Sequence, residues 1–135
     1  MFKLNNYHPF SLSCLLLILG VPIFSFSQKE DVLLGKWKNE RYGVIVKIYH
    51  IDDRYFGNVL DAGTKRGNEK LKNGPLQVLQ DFEKVNDSTY CCGSIYLPKA
   101  GIRVNSDISI IDKNNLVITG SIIGFHTSAK WIRVK

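Results

Sequence analysis

The chain has 135 residues, 44% of them apolar and 22% charged, with a formal net charge of +6 at neutral pH. That length holds a single domain of modest core. Its Lys and Arg residues are scattered among twelve acids, and the longest basic clusters, Lys36-Trp37-Lys38 and Lys65-Arg66, are too short to form a nucleic-acid face.

The first element is an export signal over residues 1–27. Lys3 and His8 make a short basic start, and an apolar run over residues 10–26 follows, interrupted by Gly20 and Pro22. Ser25 and Ser27 put small side chains three and one residues before Gln28, so cleavage is expected between Ser27 and Gln28. A retained anchor is the competing reading, but the apolar core is short for a span of about 20 residues and contains Pro22. Lipidation at Cys14 would need an apolar run before the cysteine, and here the run comes after it. Removing 27 of the 135 residues leaves 108 with a formal charge of +5 and no expected membrane span. The expected address is the periplasm or beyond it.

From residue 28 onward the pattern is all β. Runs of β-branched and aromatic residues alternate with turn residues, with no long stretch of helical periodicity and no evident helix cap. Eight strands are predicted, at 32–38, 44–50, 55–60, 76–84, 89–96, 102–111, 116–123 and 128–134. Ile51-Asp52-Asp53-Arg54, Asn86-Asp87-Ser88, Pro98-Lys99-Ala100-Gly101 and Lys113-Asn114-Asn115 supply tight reversals. Only the connection over residues 61–74 is long, and it reads as a flexible loop and a candidate lid. In the sixth strand Ile102, Val104, Ile108 and Ile110 alternate with Arg103, Asn105, Asp107 and Ser109, so one face is buried and one wet. Sequential hairpins without helices to cover them predict an antiparallel up-and-down barrel of eight strands.

Chemistry-bearing residues are sparse. Cys91 and Cys92 are neighbours, which on a regular strand face opposite sides, so two reduced thiols are expected, one buried and one near the surface. A bond between them, or a dimer through the exposed thiol, are the lesser readings. Without CxxC spacing the pair predicts no zinc site. His50 lies near Asp52 and Asp53, but no nucleophile elbow accompanies them, and the two acids suit a hairpin turn better than a calcium loop. No catalytic residue, metal ligand or cofactor is assigned, and an enzyme is not expected.

Gly35-Lys36-Trp37 opens the first strand and Trp131-Ile132-Arg133 lies in the last. In a closed barrel these strands are neighbours, so Gly35, Trp37 and Arg133 are expected to close it, with Arg133 lying across the Trp37 ring for roughly 0.5–2 kcal/mol. This Gly-x-Trp opening with a late Arg resembles the lipocalin-type, or calycin, barrel pattern. Leu34-Gly35-Lys36-Trp37, Tyr55-Phe56-Gly57, Pro75-Leu76 with Asp81-Phe82, Gly93-Ser94-Ile95-Tyr96-Leu97-Pro98, Gly120 to Gly124, and Trp131-Ile132-Arg133-Val134 are together similar to an exported bacterial family, domain of unknown function family 2147. That resemblance implies a lipocalin-like barrel, secretion, and no established activity. The chain departs from the family pattern at Gln77-Val78 and at Phe125-His126-Thr127-Ser128-Ala129-Lys130.

Two functions follow for such a barrel. One is binding a small apolar or amphipathic ligand, with Tyr49, Tyr55, Tyr90 and Phe125 as candidate lining. The other is an interaction or structural protein whose barrel is filled and whose outer face meets an envelope protein.

Overall fold

A computed structural model describes residues 31–135. Eight antiparallel strands run β1 Gly35–Asn39, β2 Ile45–Ile51, β3 Arg54–Asp61, β4 Gln77–Asn86, β5 Thr89–Leu97, β6 Ile102–Asp112, β7 Asn115–Ile122 and β8 Phe125–Val134. Each pairs with the next, and β1 pairs with β8 to close the barrel. Among the described residues no helix is long and apolar enough to cross a membrane.

Alternation along the strands decides what fills the interior. Ile108 and Val104 on β6 and Ile118 and Leu116 on β7 point inward with Trp37, Val46, Ile48, Tyr55, Leu79, Phe82, Tyr90 and Trp131, all of them buried. The packing leaves no spare room beside the interior glycines. A Cβ on Gly57 would stand 2.8 Å from Val46 Cγ1, and one on Gly93 would stand 2.4 Å from the Phe82 ring.

Beyond shifts in strand bounds, such as β8 beginning at Phe125 and not at residue 128, three features differ from the sequence expectations. The first strand begins at Gly35, because residues 31–34 turn across the barrel end and bury Leu33 completely. The loop over residues 61–74 contains a short helix, α1 Lys65–Leu71. Its cap is Thr64, whose Oγ1 accepts from Gly67 N–H at 3.0 Å, and Asn68 ties it back by accepting from Ala62 N–H at 2.8 Å. Periodicity could not reveal it, since α1 buries no residue of its own and carries Gly67 in its middle.

The third difference concerns the cysteines. Cys91 and Cys92 are bonded to each other, not reduced and separated on two faces. The strand geometry assumed for them does not hold, because β5 pairs Tyr90 with Ile108 and then Gly93 with Ser106, so β5 spends two residues where β6 spends one. Cys92 takes the left-handed φ of +68° that this bulge requires. Both cysteines therefore fall outside the interior while Tyr90 and Gly93 on either side face in. β4 carries a matching bulge, where Tyr55 and Gly57 of β3 pair with Phe82 and Leu79 and Asp81 adopts a φ of +59°.

Candidate functional site

The two ends of the barrel are built differently. At one end lie the turns after β2, β4 and β6, together with residues 31–34. Arg133 organises this end. It is the Cα partner of Trp37, and its guanidinium carbon sits 4.3 Å from the Trp37 ring centroid. Its Nε donates to Lys113 O at 2.7 Å, its Nη1 to Leu34 O at 3.0 Å, and its Nη2 to Val32 O. Trp37 Nε1 donates to Leu33 O at 2.8 Å. Three consecutive carbonyls of the entry segment are thus held by one cation and one indole.

Gly35 is required here on two counts: its φ is +122°, and a Cβ would stand 2.9 Å from Arg133 Nη1. The structure therefore brings Gly35, Trp37 and Arg133 together at the barrel seam.

The same end carries a polar latch on Asp31. Its carboxylate accepts from the Tyr55 hydroxyl and pairs with the Lys84 ammonium. Burial works against the Asp31 charge, but hydrogen bonds from Lys84 and Tyr55 outweigh it and hold the carboxyl below its usual range. Burial and the bond to Asp31 push the Tyr55 phenol up. Tyr90 meets Tyr55 edge to face at 5.0 Å between centroids, and burial beside the Asp31 charge pushes its phenol up to about 12. Both phenols stay protonated at neutral pH, and the cluster ties the entry segment to β3 and β4 at this end.

The other end carries the turns after β1, β5 and β7 and the β3–β4 segment with α1, whose Ala62, Leu71 and Leu76 pack against the core. Lys99 of the β5–β6 turn lies 5.6 Å from the Tyr42 ring of the β1–β2 turn, and on β6 to β8 the inward-facing side chains become exposed toward this end. Along β6 the inward-facing series runs from buried Ile108 and Val104 to Ile102, which is 44% exposed. On β7 it runs from buried Ile118 to Ile122, 41% exposed, and on β8 from buried Trp131 to Phe125, 76% exposed. Leu97 pairs with Ile102 and Ile122 with Phe125, so these four positions sit side by side at the rim. Two concavities lie on the outer surface, the first of them at this same end. One of about 420 Å³ lies between α1 and the outer faces of β1 to β3, lined by Lys38, Ile45, Asp61 and Asn68. The other, of about 330 Å³, lies beside Cys92, Asn105, Asp107 and Ser121.

The four aromatic residues expected to line one site are therefore dispersed. Tyr55 and Tyr90 are buried at the latched end. Tyr49 faces out, stacked on Phe56 at 5.9 Å and bonded to Asn58 and Gln77. Only Phe125 stands at the mouth. His50 Nδ1 lies 3.3 Å from Asp52 O in the β2–β3 turn, where Asp52 takes a φ of +53°. Ser27 and Gln28, the expected cleavage positions, lie outside the described residues.

Sequence reasoning missed Asp31, Lys84 and Leu33 at the closed end. No local signal marks them, since Asp31 and Lys84 are 53 residues apart. Ile102 was legible, because it keeps the parity of Val104 and Ile108.

A closed antiparallel barrel of eight strands, plugged at one end by the chain that enters it and sealed by an Arg over a Trp, is a barrel of lipocalin type. Protein HP1028 from Helicobacter pylori, described as belonging to the lipocalin family, superposes with a TM-score of 0.64 at 18% identity, over 76% of this chain and 83% of that one. The model of a family described as uncharacterized proteins conserved in bacteria, DUF2147, matches residues 35–133, and the chain belongs to that family. No curated protein sequence matches it significantly.

Proposed function

We propose that this is an exported binding module, not an enzyme, and that it takes one small apolar or amphipathic ligand at the mouth. The observation that carries this reading is the rim of Ile102, Ile122 and Phe125, flanked by half-buried Leu97: large apolar side chains at inward-facing positions that are left exposed at this end. Covering a large apolar side chain is worth roughly 1.5–3 kcal/mol, and association costs offset part of the total, so the expected affinity is on the order of micromolar. The ligand rests on the mouth and does not descend, because Gly57 and Gly93 are already in contact with the side chains that fill the barrel.

That packing also favours a second reading, in which the barrel is a filled scaffold and the rim meets an envelope protein. Native mass spectrometry of the protein from its own host, followed by titration with an apolar fluorescent dye, separates the two. A co-purified small molecule displaced by dye supports the first reading. A chain with no bound small molecule and no dye affinity overturns it, and a pull-down from envelope extract then tests the second. Intact mass from the same sample tests export, with a chain beginning at Gln28 expected.

A further inference from the structure

We propose that reduced Cys91 and Cys92, together with Glu83, bind one thiophilic divalent metal ion on the outer wall of the barrel. The placement follows from the two adjacent bulges. The bulge in β5 puts both cysteines outside the interior instead of on opposite faces, and Glu83 of β4 is the Cα partner of Cys91. The two sulfurs and a Glu83 carboxylate oxygen lie within 4.8 Å of one another. Cys92 N–H donates to Asp107 Oδ1 at 3.3 Å, which anchors the left-handed turn of the pair to β6.

Two thiolates and a carboxylate are the donor set of a tetrahedral site for zinc or a softer divalent ion, with the fourth position left to solvent. Arg54 holds Glu83 Oε1 at 2.8 Å, and the carboxylate keeps lone pairs free for the metal. The charges also balance: two thiolates and one carboxylate against a divalent ion leave one negative charge, and the Arg54 guanidinium beside it cancels that charge.

The oxidised pair is the locked state of this site. Two molecules of a small thiol each give up a hydrogen and join as a disulfide, while the Cys91–Cys92 bond breaks and each sulfur gains a hydrogen. The entering metal ion then displaces both thiol protons to solvent. The site is thus present only in the reduced protein, which makes metal binding a readout of the redox state around it. This proposal is independent of ligand binding at the mouth.

Cadmium is a suitable probe, because a thiolate bound to it absorbs in the ultraviolet. The full chain is titrated with Cd²⁺ after reduction by a phosphine, which adds no competing thiol, and again in the oxidised form. The reduced protein is expected to bind one Cd²⁺ per chain with the thiolate absorption, and the oxidised protein none. Glu83→Gln is expected to keep the absorption and weaken affinity by roughly tenfold or more. Cys92→Ser is expected to lose the absorption. Glu83 is surface-exposed and lies outside the core, so its variant keeps the test valid if the cysteine variant folds poorly; melting curves check both. Equal binding by the oxidised form, one ion shared between two chains, or unchanged affinity in Glu83→Gln would overturn the proposal.

Discussion

Arg133 holds together three pieces of chain that are far apart in sequence: the entry segment, the β6–β7 turn and the last strand. A guanidinium can do this because its fork reaches the carbonyls of Val32, Leu34 and Lys113 at once while its plane lies on Trp37. Arg133→Lys is expected to lower stability by about 2–3 kcal/mol, because one ammonium cannot satisfy three separated acceptors. Trp37→Ala is expected to cost more, about 3–5 kcal/mol, and to leave affinity at the mouth unchanged in the folded fraction. Urea unfolding midpoints check both.

Asp31 gives the same end a pH dependence. Its carboxyl is held below the usual value in the folded chain, so its contribution is complete above the unfolded value of about 3.9 and fades as pH falls through the folded one. Lys84 and the two tyrosines are shifted upward. Their contribution is complete below the unfolded tyrosine value of about 10 and is lost as pH rises through the folded values. Melting temperature against pH is expected to fall at both extremes. In Asp31→Asn the acid limb is expected to flatten; an unchanged acid limb would show that the latch contributes nothing.

At the level of elements, the paired bulges in β4 and β5 set the geometry of this wall. They let Leu79 and Phe82, three residues apart, both face inward, and they do the same for Tyr90 and Gly93. Phe82 then lies directly against Gly93, where a Cβ has no space. Gly93→Ala is expected to destabilise by about 1–3 kcal/mol, with Phe82→Leu relieving part of that in a double-mutant cycle; additive effects would contradict the contact.

The bulges also mark where the sequence stops being readable. β6 could be read directly, because its alternation is unbroken from Ile102 to Ile110. In β5 the alternation is reset by a left-handed Cys92, a conformation that no residue type at that position announces. The same reset explains why Cys91 and Cys92 meet and why Glu83 joins them.

At the scale of the whole molecule, strand order and closure were legible because every short reversal joins neighbours, so an up-and-down barrel satisfies all the edges. The site was legible only in part. Tyr49, Tyr55 and Tyr90 were drawn together by residue type, but parity sends Tyr49 outward and strand direction sends Tyr55 and Tyr90 to the latched end. Phe125 is the first residue of β8, which begins three residues earlier than its β-branched run suggested. The resulting molecule is polarised in its inward-facing side chains, hydrogen-bonded and buried at the plugged end and partly exposed at the rim of β6 to β8.

The measurement that tests this division most directly is the affinity of an apolar fluorescent dye for three proteins: the native chain, Phe125→Glu and Tyr55→Phe. One-site binding that Phe125→Glu weakens by roughly tenfold or more, and that Tyr55→Phe leaves unchanged, is the expected result. Binding lost in Tyr55→Phe but kept in Phe125→Glu would place the ligand at the latched end and contradict the account.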